Sequence, residues 1–124
     1  MAISILMDKI ICELYRKKIM LQGNFILKSG QESNIYINCR KISEHPKLMK
    51  MICEHMKTDM IKAEWVCGVP YGAVPFATTL SLMTDIPQLI LRKEKKEHGT
   101  GRQIEGDYKS GDTVILVEDV ITTG

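Results

Sequence analysis

Apolar residues recur at helical spacing over residues 4–20, SILMDKIICELYRKKIM, where Ile5, Leu6, Ile10, Leu14 and Tyr15 share one stripe. Ser4 can cap that helix, and Arg16, Lys17 and Lys18 suit its last turn. Gly23 and Asn24 break the pattern. The period then falls to two. In residues 25–40, FILKSGQESNIYINCR, Ile35, Ile37 and Cys39 alternate with Tyr36 and Asn38, which predicts a strand. FIL reads as its short partner and KSGQES as the turn between them. Helical spacing returns over residues 43–63, with Ser43 as a cap and Pro46 near the start, where proline is tolerated. Leu48, Ile52 and Met56 form the expected buried stripe, and the methionines here read as flexible core filler.

From residue 65 the pattern changes again. WVCGVP (65–70), AVPFATTLSLMT (73–84) and PQLILRK (87–93) read as strand, helix, strand, and VILV (114–117) as a further strand. Strands with unbroken apolar runs that alternate with helices predict a parallel sheet covered on both faces. The crossovers between such strands are right-handed. No internal repeat or low-complexity segment interrupts this order.

Composition narrows the class. A chain of 124 residues is one domain or part of one. At this length a chain buries roughly two-thirds of its unfolded surface, enough for a single core. The net charge of +2 is too small to imply nucleic acid, because most basic residues have acidic neighbours. No segment has the apolar length of a membrane span, and no basic stretch precedes an apolar run as in a secretory signal. The four cysteines, Cys12, Cys39, Cys53 and Cys67, form no CxxC pair and no metal-ligand cluster with histidine. They read as reduced thiols in a cytoplasmic protein.

Candidate chemistry gathers at the strand ends, where open parallel sheets bind ligands. The strand at 65–69 runs into Pro70, Tyr71, Gly72 and Ala73. The strand at 88–91 runs into Arg92, Lys93, Glu94, Lys95, Lys96, Glu97, His98 and Gly99. The strand at 114–117 runs into Glu118 and Asp119, then Thr122, Thr123 and Gly124. Adjacent carboxylates can accept hydrogen bonds from a ribose diol. A Thr-Thr-Gly turn opening a helix can cradle a phosphate. The basic loop, which also includes Arg102, can neutralise a polyphosphate, and Gly99, Gly101 and Gly106 let it close over a ligand. Each feature also has a plainer reading, as a solvated acidic rim or a solvated mixed-charge loop. The apolar run ending in two acids is shared with P-loop NTPases, but GxxxxGK[ST] is absent upstream. GTGRQIEG is not a dinucleotide fingerprint, since Ile104 stands where the third glycine belongs.

VILVEDVITTG resembles the phosphoribosyl-diphosphate (PRPP) signature of type I phosphoribosyltransferases. FILKSG, SNIYIN, CGVPYGAVPFAT and LRKEKKEHGTGRQIEGD resemble, in the same order and at similar spacings, the orotate phosphoribosyltransferase family. They look closer to the eukaryotic form, the N-terminal domain of UMP synthase, where the domain is often fused to orotidylate decarboxylase. The resemblance covers nearly the whole chain. It implies an α/β fold, with a type I phosphoribosyltransferase-like parallel sheet, flanking helices and an N-terminal hood of a helix plus short strands. Residues 1–42 would form the hood, on the orotate side, and 43–124 the start of the α/β core.

The implied reaction converts orotate and PRPP to orotidine 5′-phosphate and diphosphate, in pyrimidine biosynthesis. Mg²⁺ would enter with PRPP and take no ligand directly from the protein. Lys28 would reach the diphosphate, and Tyr36 and Ile37 would flank orotate. Tyr71 and Gly72 would offer main chain to the diphosphate, and Arg92, Lys93, Lys96 and His98 would engage it. Glu118 and Asp119 would hold the ribose hydroxyls. Val120 and Ile121 belong to the same substrate-binding segment, and Thr122, Thr123 and Gly124 would begin the 5′-phosphate cradle, with Thr122 also near orotate. Lys96, His98 and Asp119 are the candidate catalytic residues. A homodimer is implied, with the 93–106 loop crossing into the neighbouring site, and no nucleic acid or membrane is involved.

Two departures stand out. Gly72 occupies a position where bacterial members often carry lysine and eukaryotic members do not. The family also continues past TTG, so the C-terminal part is expected to be missing here, with little activity from residues 1–124 alone. The rival readings are a non-catalytic phosphoribosyltransferase-like protein that binds a nucleotide or a partner, and a relative acting on another base.

Overall fold

A computed structural model describes residues 2–95, 97–99 and 101–121. They fall into two compact units, one ending at His55 and the other beginning at Met56. No helix among the described residues is long and apolar enough to cross a membrane.

The first unit opens with helix α1, Ala2–Arg16. Ile10 and Leu14 are buried, whereas Ile5 is 55% exposed and Tyr15 38%, so the buried stripe is narrower than its pattern. The helix also ends before residue 20. Lys18 adopts a left-handed φ of 54°. Its N–H donates to the Tyr15 carbonyl and the Ile19 N–H to the Leu14 carbonyl, at 3.0 and 2.9 Å. This pair of bonds is a Schellman stop, and it places Ile19, fully buried, against the helix it ends.

Strand β1, Met20–Ile26, pairs antiparallel with β2, Glu32–Ile37. Gly23 and Asn24 do not end an element. They lie in a register shift between Gln22 and Phe25, a bulge within a longer strand than FIL alone predicts. The turn keeps to the LKSG sequence. The Gly30 N–H donates to the Leu27 carbonyl at 2.8 Å, and Gly30 takes a φ of 84° that side chains disfavour. Phe25 and Tyr36 pack across the pair with ring centroids 5.5 Å apart.

A 3-10 helix over Cys39–Glu44 precedes α2, Pro46–Lys57. Ser43 thus lies inside the 3-10 turn instead of capping α2, which begins on its proline. Leu48, Met49 and Cys53 are the buried residues of α2, while Ile52 and Met56 are only partly covered.

In the second unit β3 (Trp65–Gly68) is followed by α3 (Val74–Thr84), β4 (Gln88–Leu91), β5 (Ile104–Glu105) and β6 (Val114–Val117). The sheet order is β5-β4-β3-β6. Strand β3 is central and parallel to β4 and β6, as the apolar runs predict. The short antiparallel β5 has no counterpart in the sequence pattern. Val66, Cys67, Leu89 and Val117 form the sheet's buried core with Phe76, Ala77 and Leu80 of α3. Leu116 on the edge strand is 68% exposed, so burial is less even than an unbroken apolar run suggests. At the opposite end of the strands, Asp112 accepts from the Trp65 indole and the Lys109 N–H, both at 2.8 Å. Those two donors, the indole first, hold the Asp112 carboxyl below its ordinary pKa.

Candidate functional site

Because β3, β4 and β6 are parallel, their carboxyl ends share one edge of the sheet. Tyr71 and Gly72 leave β3 at the centre, Arg92 and Lys93 leave β4 on one side, and Glu118 and Asp119 leave β6 on the other. Cations therefore flank one side of the central turn and carboxylates the other.

The central turn is drawn tight. The Val69 N–H donates to the Val117 carbonyl at 2.9 Å, tying the end of β3 to β6. A cis peptide joins Pro70 to Tyr71. Ala73, fully buried, precedes the first turn of α3. The chain then passes so close to β3 that a Cβ on Gly68 would stand 2.8 Å from the Ala73 carbonyl oxygen and 2.9 Å from the Val74 Cα. Glycine at 68 is thus required by backbone touching backbone.

Gly72 is required for a different reason. A Cβ there would overlap the Asp119 carboxylate, with Cγ only 2.8 Å away. The acid from β6 rests directly on the main chain of the turn after β3. Any side chain at residue 72 would have to displace that acid. Glu118 is exposed, and one of its oxygens accepts the Asp119 N–H at 2.8 Å.

On the basic side, Lys93 holds its Nζ 5.7 Å from the centroid of the Tyr71 ring, within cation–π range. Tyr71 is itself 66% exposed. Arg92 donates from Nε to Glu105 at 2.9 Å. A depression of about 540 Å³ is lined by Tyr71, Arg92, Lys93, Glu94 and Glu105 among others. His98 is exposed in the loop beyond. Lys96, Thr122, Thr123 and Gly124 lie outside the described residues, and Val120 and Ile121 are 58% and 73% exposed.

The first unit carries the other candidates on its hairpin. Lys28 is exposed in the β1–β2 turn, and Tyr36 and Ile37 are partly exposed at the end of β2. A depression of about 680 Å³ beside the hairpin is lined by Asn24, Phe25, Ile26, Glu32, Ser33 and Asn34, not by those three residues. Glu105 is absent from the sequence-derived candidates. Its only sequence signal, a single Ile-Glu pair before Gly106, is too short to read as a strand.

Carboxylates, a main-chain turn and cations along one strand edge can hold a ligand that is a diol at one end and an oxyanion at the other. Residues 38–124 match the phosphoribosyl transferase domain family, and the chain belongs to that family. It is 54% identical to the orotate phosphoribosyltransferase of Pyrococcus furiosus over 106 residues, covering 82% of this chain and 58% of that protein. It is 41% identical to the uridine 5′-monophosphate synthase of Bos taurus over 123 residues, covering 96% of this chain and 26% of that protein. The likeness is shared by archaeal and eukaryotic forms, and the higher identity to the archaeal enzyme shows that the chain is not closer to the eukaryotic form, contrary to what the motifs alone suggest. The structure of Leishmania donovani UMP synthase superposes with a TM-score of 0.76 at 30% identity, over 91% of this chain and 25% of that one. The chain spans about 51–65% of the length of the first orotate phosphoribosyltransferases it matches.

Proposed function

We propose that this chain carries the PRPP-binding core of an orotate phosphoribosyltransferase, which joins orotate to the ribosyl carbon of PRPP and releases diphosphate. The observation that carries the reading is the Asp119 carboxylate resting on the Gly72 main chain, between the acidic and basic sides of one strand edge. The contact supports the reading, because a carboxylate able to accept hydrogen bonds from a diol then lies beside the turn proposed to receive the diphosphate.

In this reaction a bond forms from an orotate ring nitrogen to the ribose carbon while the carbon–oxygen bond to diphosphate breaks. Positive charge grows on the sugar and negative charge on the leaving group. Preorganised donors on the leaving oxygens lower that barrier. Lys93, held over Tyr71, and Arg92 are the described cations at this position, with Lys96 and His98 proposed to join them from the loop. Asp119 and Glu118 hold the ribose hydroxyls and so fix the reacting carbon relative to the cations. As the new bond forms, the ring nitrogen gives up its proton to the departing diphosphate or to water, since the negative charge that orotate carries near neutral pH sits on its carboxylate.

Mg²⁺ is proposed to arrive as its PRPP complex, where it would neutralise charge on the diphosphate. The residues present fit that arrangement, because the carboxylates of Glu118 and Asp119 could accept hydrogen bonds from the ion's waters without ligating it directly. Among the described residues no group of three or more His, Cys, Asp or Glu forms a cage for a metal.

On the orotate side, Lys28, Tyr36 and Ile37 belong to the proposed hood, residues 1–42, and residues 43–124 to the proposed core. A homodimer in which the 93–106 loop serves the neighbouring site, and a cytoplasmic location, complete the proposal. The test is loss of orotate absorbance with PRPP and Mg²⁺ in the complete gene product, with uracil and purine bases as competitors. Turnover confined to orotate supports the reading. Turnover of another base, or PRPP binding without turnover, overturns it in favour of one of the two rivals.

A further inference from the structure

The basic loop returns to the sheet through β5, which is only 2 residues long. Pairing that short holds a strand weakly. Three other contacts brace its root. The Arg92 N–H donates to the Gln103 carbonyl at 2.8 Å. The Gln103 side-chain amide donates back to the Arg92 carbonyl at 3.4 Å. The Arg92 guanidinium places both Nε and Nη2 2.9 Å from the same oxygen of Glu105. Gly106 follows at a φ of 139°, where a Cβ would overlap the Leu89 side chain, so Glu105 is the last residue of the pairing.

The Arg92 and Glu105 side chains are 40% and 42% exposed. An ion pair so open to water adds little to stability. A carboxylate that lines the same depression as Lys93 also subtracts from its attraction for an anion. Its value must lie in geometry. A guanidinium has five N–H donors in a rigid plane. Two donors on one oxygen fix that plane and leave three for a ligand.

We propose that Glu105 is a positioning residue: it fixes the plane of the Arg92 guanidinium at the root of the basic loop, so that the donors left free meet the diphosphate. This rests on the proposed diphosphate role of Arg92. Glu105 would touch neither substrate and would act only through Arg92.

The experiment compares Glu105→Ala and Glu105→Gln with the unmodified complete gene product. PRPP affinity in Mg²⁺ is read by calorimetry, kcat and KM by orotate absorbance, and loop bracing by tryptic cleavage after Lys93, Lys95 and Arg102. Glu105→Ala is expected to weaken PRPP binding about tenfold, the scale of one charge-assisted hydrogen bond. KM for orotate and the melting temperature should hold, and the loop should be cut faster. Glu105→Gln keeps an oxygen acceptor and should recover most of the affinity. Unchanged PRPP affinity in Glu105→Ala overturns the proposal and leaves the reading of the site standing. Tighter PRPP binding overturns it too, since it marks a carboxylate that merely competes with the ligand. An unmodified protein that binds no PRPP overturns the reading of the site, and this proposal with it.

Discussion

Gly68 and Gly72 lie four residues apart around one turn, and adding a methyl group to each should have opposite consequences. At Gly72 the new Cβ meets the end of the Asp119 side chain, which can rotate away. Leaving its preferred rotamer costs about 0.5–1.5 kcal/mol, and a half-buried strand-end acid contributes little to the core. Rotation removes the carboxylate from the proposed diol site, with a loss of about 1.5–3 kcal/mol for charge-assisted hydrogen bonds. That is roughly a 10- to 150-fold weakening of PRPP binding. At Gly68 the new Cβ stands 2.8 Å from the Ala73 carbonyl oxygen and 2.9 Å from the Val74 Cα. Neither backbone atom can rotate away, so the strand and the start of α3 must separate. Overpacking of this kind costs about 1–3 kcal/mol of stability. Calorimetric titration with PRPP and Mg²⁺, alongside thermal melts, separates the two effects. Gly72→Ala should melt near the unmodified protein and bind poorly, and Gly68→Ala should melt well below both. Full PRPP affinity in Gly72→Ala, or a melting loss matching that of Gly68→Ala, would refute the reasoning.

Lys96→Ala in the complete gene product should lower kcat by roughly 10²–10³, the scale of one preorganised charge-stabilising donor, with a smaller change in PRPP affinity. Steady-state kinetics decides it, and a change of only a few-fold would make the loop an ordinary solvated one. Asp119→Asn should weaken PRPP binding while the melting temperature holds; equal affinity, or a large melting loss, would assign Asp119 a structural role. Asp112 is held below its ordinary pKa of 3.8 in the folded chain, so its contribution is present above that value and is lost as pH falls through the lower folded one. Denaturation between about pH 5 and pH 2, followed by the emission of Trp65, the single tryptophan, should show a steeper acid loss in the unmodified protein than in Asp112→Asn. Parallel acid profiles would remove Asp112 from the account.

What the sequence alone determined follows from short-range pattern. The apolar runs at 65–68, 88–91 and 114–117 are strands because continuous apolar side chains require burial, and the parallel pairing of the first two follows from the helix α3 between them; no helix separates β4 from β6 among the described residues, so the parallel place of β6 beside β3 is a tertiary result. The LKSG turn is equally local, since Gly30 alone supplies its left-handed φ. The acids, cations and glycines of the strand ends were likewise legible, because each sits immediately after a readable strand. The end of α1 was not. Lys18 has no intrinsic preference for a left-handed φ, and the stop depends on burial of Ile19. Nor was the bulge at Gly23 and Asn24, whose breaking signal is answered by the partner strand β2. Tertiary structure alone decided that Asp119 rests on Gly72 and that Glu105 holds Arg92. The first contact requires β6 to lie beside β3, and the second requires a two-residue strand to return against β4. Neither leaves a trace in local composition, because hydrogen-bond register between strands, not any nearby residue, sets which side chains meet.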